Sequence, residues 1–260
     1  MQINTLCIFG TRPEAIKMAP VVKRLQQDLR FHNQICVTGQ HKEMIQPILD
    51  LCHLTPDYDL NVMVPNQDLV RLSAKIMLGL TEILEKQRPD CILVQGDTTT
   101  TLTAAIAAYY CRIPVMHIEA GLRTGDLNLP WPEEGNRKLT SGLATLHFAP
   151  TFVARHHLLH EGIASDAIYV TGNTVIDALF DTVTSIQQNS SLYQQLQQRF
   201  AYLNPLRKMI LVTGHRRESF GQGFADICRA LREIAERFPD VDLVYPVHCI
   251  RMYKNLYVII

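Results

Sequence analysis

The chain has 260 residues, 47% of them hydrophobic, with Lys plus Arg and Asp plus Glu balanced at 25 each. That length suits one large domain, or one and part of another, and zero formal charge excludes a global field that would draw in nucleic acid or an anionic membrane. The seven cysteines include no CxxC pair and read as buried thiols in a reducing compartment. No stretch has the apolar length of a membrane span and the N-terminus shows no signal-peptide pattern, so the expectation is a cytoplasmic protein.

Strand-like and helix-like segments alternate. Thr5 to Phe9 is an apolar strand ending at Gly10, and Glu14 to Leu29 has helical spacing with Ile16, Ala19, Val22 and Leu25 on one face. A strand at Gln34 to Thr38 precedes a helix at His41 to Leu51, with Met44, Ile48 and Leu51 on one side. Asp68 caps a helix running to about Lys86. Cys91 to Val94 and Ile113 to Ile118 are strands around an Ala-rich helix at Thr98 to Tyr110. Then come a helix at Glu133 to Ala144, a strand at His147 to Ala149, a helix opened by Thr151, and a strand at Ala167 to Val170. Asn173 to about Phe200 reads as helical, with a Gln/Ser-rich patch at Gln187 to Ser191. A second unit comes next: strand Met209 to Thr213, helix Phe224 to Phe238, strand Val241 to Val247. The pattern is α/β, with parallel sheets and helices on both faces, and every strand-to-helix loop on one edge. It divides as a Rossmann-like domain over 1–172, a helical link over 173–206, and a partial second domain over 207–260.

Three junctions carry chemistry-bearing residues. Gly10-Thr11-Arg12-Pro13-Glu14 is neither a GxGxxG nor a Walker loop; its amides and the start of the next helix would face a ligand, with Arg12 as an anion fork, or it is a plain tight turn. Gly96-Asp97 precedes four threonines, poor helix formers whose place at a helix start hints at ligand contact. Asp97 there is either a helix cap or an acid. The strongest junction is HIEAGLRTGDLNLPWPEEGNR, with Glu119, Glu133, Glu134 and Arg137. Glu119, at the end of an apolar strand, is expected to be partly desolvated and so suited to proton transfer. Asp97, Glu119 and Glu133 would share one edge, where like charges drive proton affinities apart. His117 reads as a buried, satisfied imidazole, and His156, His157 and His160 as surface. In the second unit His215, Arg216 and Arg217 form a candidate anion grip.

Taken in order, GTRPEAIKMAP, TGQH, GDTTTT, HIEAGLRT, PEEGNR, TGNTVIDAL, TGHRRESFG and YPVH resemble the non-hydrolysing UDP-N-acetylglucosamine 2-epimerases from Ile8 to His248. The resemblance implies two Rossmann-like domains of GT-B type. It implies interconversion of UDP-N-acetylglucosamine and UDP-N-acetylmannosamine by elimination of UDP to 2-acetamidoglucal and re-addition, with no metal or nicotinamide cofactor. Asp97, Glu119 and Glu133 match the acids that move the C2 proton. His215 matches the histidine beside the diphosphate, and Arg12 and Lys17 match groups supporting departure of UDP. Arg137 and Arg216 are further substrate-binding candidates. Gln40 and His41 lie in the segment matching the family's activating-nucleotide site, although Glu43, Asn66 and Gln67 depart from it. A UDP-sugar is the implied partner, with homodimers typical of full-length relatives. The family continues well past YPVH, and CIRMYKNLYVII does not resemble the family's sequence at that point, so the expectation is a truncated or frameshifted member with an incomplete second domain. A catalytically impaired or non-catalytic nucleotide-sugar-binding fragment and a GT-B glycosyltransferase are the alternatives.

Overall fold

The computed structural model describes residues 2–39, 42–64, 67–213 and 221–246, without the side chains of 42–44. Seven parallel strands form one sheet: β1 (Ile3–Phe9), β2 (Phe31–Val37), β3 (Tyr58–Asp59), β4 (Cys91–Gln95), β5 (Val115–Ile118), β6 (Leu146–Ala149) and β7 (Ile168–Val170). Their order is β3-β2-β1-β4-β5-β6-β7. The chain steps outward from β1 to β3, then returns to the other side of β1 as β4. The carboxyl ends of β1 and β4 therefore diverge into loops turning opposite ways, leaving the crevice typical of doubly wound sheets.

Alternation along β1 supplies both faces of the core. Leu6 and Ile8 point to one side, among Ile76, Leu80 and Leu84 of α3 (Leu69–Gln87) and the alanines of α4 (Thr99–Tyr110). Cys7 and Phe9 point to the other, among Ala15, Met18 and Val22 of α1 (Arg12–Gln27) and Ile45 and Leu49 of α2 (Lys42–Cys52). The side of α1 facing the sheet is thus Ala15, Met18, Ala19 and Val22; Ala19 and Val22 lie on the expected stripe, Leu25 packs half-buried against the same core, and Ile16 is only half-buried. Leu51, expected inside on α2, is exposed, and Met44 lies outside the described side chains. Burial pushes the thiols of Cys7, Cys36 and Cys91 up, so they stay protonated packing groups.

After β5 come α5 (Glu133–Leu143), α6 (Phe152–His160) and α7 (Thr174–Gln188). The expected single helix to Phe200 is two, because Asn189 breaks it and caps α8 (Ser190–Arg199) through the Leu192 amide at 3.0 Å. Two compact units divide after Ser185. Most of α7 belongs to the first, where Asp181 reaches Lys23 of α1 at 3.9 Å. In the second, β8 (Lys208–Leu211) and β9 (Val241–Val244) pair in parallel around α9 (Gln222–Arg237), and Arg207 holds Asp242 at 2.7 Å. Among the described residues, no helix is long and apolar enough to cross a membrane.

Candidate active site

The first wall of the site is the turn from β1 to α1. Thr11 caps α1 and Glu14 completes a capping box. Glu14 is buried, and one carboxylate oxygen accepts from the amides of Gly10 (3.0 Å) and Thr11 (2.7 Å). The other accepts from the hydroxyl of Thr98 (2.7 Å), with that of Thr101 alongside (3.3 Å), across the crevice on the β4 side. Gly10 must be glycine, since a Cβ there would collide with the Thr38 and Thr100 hydroxyls. One turn into α1, Lys17 reaches inward, while Arg12 at the helix start is half-buried without a hydrogen bond or ion pair among the described residues.

The second wall is the turn from β4 to α4. Thr98, not Asp97, caps the helix, accepting from the Thr101 amide at 3.1 Å. The cap reading of Asp97 is thereby excluded. Of the threonines, read in sequence as hinting at ligand contact, Thr99, Thr100 and Thr101 are buried, with Thr100 bonded to Thr38 (3.1 Å) and Thr101 to the Gln95 carbonyl (2.6 Å). Asp97 meets Arg137 at 2.7 Å, and its backbone carbonyl accepts from the Asn136 amide at 2.9 Å. The Gly96 carbonyl accepts from His117 Nε2 at 2.7 Å. Burial pushes that imidazole down to about 4, so it is neutral and carries its proton on Nε2.

The third wall lies beyond β5. Glu119 stands in the left-handed region at φ 63°, turning its carboxylate off the strand. Lys17 Nζ donates to it at 2.5 Å, the Gln95 side-chain amide donates to the same oxygen, and Asn173 donates to the other at 3.3 Å. Glu133 opens α5, where the helix dipole favours an acid. Glu134 beside it is fully buried, accepts from the Thr124 and Gly125 amides at 3.1 Å each, and holds Arg137 at 3.2 Å. Arg137 is therefore strung between Glu134 and Asp97.

These walls form one electrostatic unit. Burial raises the proton affinity of Asp97; Arg137 opposes this, Glu133 and Glu119 add to it, and Lys17 weakens it. Two carboxylates from other chain segments thus act on Asp97, with two cations among them. Such a cluster can give and take protons around a bound molecule.

A family model described as UDP-N-acetylglucosamine 2-epimerase matches residues 23–258. The chain belongs to the UDP-N-acetylglucosamine 2-epimerase family. Its relatives in that family include a UDP-N-acetylglucosamine 2-epimerase of Yersinia pestis, 56% identical over 95% of this chain and 65% of that protein. The Escherichia coli (strain K12) enzyme of the same description is 53% identical over equal shares. The fold is similar to the crystal structure of the Neisseria meningitidis UDP-GlcNAc 2-epimerase bound to UDP-GlcNAc, with a TM-score of 0.90 and 48% identity over 95% of this chain and 66% of that one. It is also similar to the Methanocaldococcus jannaschii enzyme in complex with UDP-GlcNAc and UDP, with a TM-score of 0.80 and 32% identity over the same shares. The chain spans about 65% of the length of the curated relatives it matches.

Of the family positions singled out in the sequence, the structure brings Asp97, Glu119, Glu133, Lys17 and Arg137 together. Gln40, His41, His215 and Arg216 lie outside the described residues. His157, read as surface, is half-buried, with Nδ1 3.0 Å from the Gly121 carbonyl. Sequence reasoning passed over Gln95, Asn136 and Asn173 as parts of the site. Gln95 had a signal, a lone amide closing an apolar strand; Asn173 had one too, coming after Gly172 at a strand end.

Proposed function

We propose that this chain carries the proton-transfer centre of a UDP-N-acetylglucosamine 2-epimerase and interconverts UDP-N-acetylglucosamine and UDP-N-acetylmannosamine. The observation that supports this most directly is that Asp97 lies within the electrostatic reach of Glu119 and Glu133, acids from two other segments, and that Arg137 and Lys17 hold Asp97 and Glu119. The C2 hydrogen of the sugar is weakly acidic, so its removal needs a well-placed base. As the base takes that proton, the C2–H electron pair forms the C1–C2 double bond and the C1–O bond breaks. UDP leaves, and 2-acetamidoglucal remains. Returning a proton to C2 from the opposite face, with UDP re-adding at C1, gives the epimer. Inversion needs acid or base on both faces, which one carboxylate does not provide and a cluster does. Lys17 and Arg137 hold Glu119 and Asp97 in place. Arg12 and His215 are the groups proposed for the diphosphate, where positive charge stabilises the leaving group. On this reading the protein is a cytoplasmic homodimer serving the synthesis of bacterial surface polysaccharide.

The experiment is incubation with UDP-N-acetylglucosamine in deuterium oxide. The expected result is UDP-N-acetylmannosamine with deuterium at C2. A folded chain giving no product and no deuterium in recovered substrate would refute the proposal for this 260-residue protein.

A further inference from the structure

Helix N-termini at the switch point of a doubly wound sheet commonly receive a ligand's phosphate. Here the two amides that lead into α1 are already taken. The Gly10 and Thr11 amides converge on one oxygen of Glu14, at 3.0 and 2.7 Å. Pro13 has no N–H to give. The Glu14 amide turns back to the Thr11 hydroxyl at 3.5 Å, and the Ala15 amide to the Thr11 carbonyl at 3.0 Å. The second Glu14 oxygen is held from the opposite wall by Thr98. This carboxyl group accepts from the Gly10 and Thr11 amides and the Thr98 hydroxyl, with the Thr101 hydroxyl alongside, and is buried, so it is seated rather than exchanging with solvent. The neighbouring surface is also unfavourable to an anion. Lys17 and Arg137 are both committed to acids, and Glu133 adds a further negative charge.

We infer that Glu14 is a specificity-determining residue: a built-in carboxyl group in the phosphate seat of the β1–α1 turn, which keeps a ligand's phosphates out and leaves the adjacent acidic rim to an uncharged, hydroxyl-bearing ring. The assignment of that ring as the sugar rests on the epimerase reading; the occupied seat does not. Arg12 then meets the diphosphate by its side chain from the edge of the crevice, not through the backbone of the turn.

The test is a titration of the isotope-labelled chain with inorganic phosphate, monitored by NMR at the Gly10 and Thr11 amides. In the unsubstituted protein both resonances stay in place. In Glu14→Ala, with the seat emptied, both shift saturably. In Glu14→Gln, where a neutral amide fills the seat, both again stay. A saturable shift in the unsubstituted protein equal to that of Glu14→Ala would overturn the inference. So would a folded Glu14→Ala whose two amides ignore phosphate. If Glu14→Ala fails to fold, the other two proteins decide, because a saturable response in either one overturns the inference and silence in both supports it. No turnover is read, so an inactive chain with silent amides would remove the epimerase reading and leave the filled seat standing.

Discussion

Replacing Arg137 with methionine keeps the length of the side chain and removes the charge strung between two acids. Arg137 has a side-chain exposure of 10%, Glu134 of 0% and Asp97 of 27%. Breaking a buried ion pair by deleting one partner costs about 3–5 kcal/mol, because the remaining charge is left in a poor solvent. At the lower end, about 3 kcal/mol, the midpoint of thermal unfolding of a unit of this size falls by roughly 6–12 °C. The pH dependence is the sharper part of the prediction. Burial raises the proton affinity of Asp97 above its usual 3.8. A carboxyl shifted that way contributes stability below its free-chain value, and the contribution is lost as pH climbs through the higher folded value. Arg137 restrains the shift, so Arg137→Met raises the folded value further, and the deficit of the variant grows as pH rises across that window. Urea titrations at neutral and mildly acidic pH, read by far-ultraviolet circular dichroism, should show a smaller deficit in acid. An equal deficit at both would refute the claim that Arg137 holds a charged Asp97.

The same geometry supports other expectations. Asp97→Asn, Glu119→Gln and Glu133→Gln should each slow deuterium entry at C2 by roughly 10²–10⁴-fold while leaving the fold intact by circular dichroism. His117 is neutral with a value near 4 against 6.5 in the free imidazole; the native state should lose roughly 3 kcal/mol as pH falls through that interval, and urea titrations of His117→Gln should lack the loss. Gly10→Ala forces a methyl group against Thr38 and Thr100 and should cost about 1–3 kcal/mol in urea unfolding, more if the turn opens.

The succession of strands and helices and the three polar strand-end junctions were legible because buried parallel strands write themselves as short apolar runs, each closed by a polar junction. β3 was not, since Tyr58–Asp59 is two residues long and pairs only at Cys36 and Val37. The stripe on α2 was displaced by one position, and that on α1 extended to Ala15 and Met18, because sequence periodicity fixes spacing while the sheet chooses which side to cover. At the site, charge type and strand-end placement were enough to single out Asp97, Glu119 and Glu133. Partnership was not legible. The four threonines look like ligand contacts in sequence, and only the fold shows that Glu14, 84 and 87 residues away from Thr98 and Thr101, lies against two of their hydroxyls. Arg137 likewise reads as a substrate ligand, until Asp97 and Glu134 are found on either side of it.

The placement of β1 in mid-sheet bears on how the protein is made. Lys17 and Glu119 are 102 residues apart, and Asn173 stands 54 beyond Glu119. Early and late parts of the polypeptide must dock side by side before any proton-handling pocket exists, and pairings of such separation close slowly. During synthesis on the ribosome this cluster is therefore complete only after Asn173 has emerged, and in refolding the Lys17–Glu119 contact should form after the helices return.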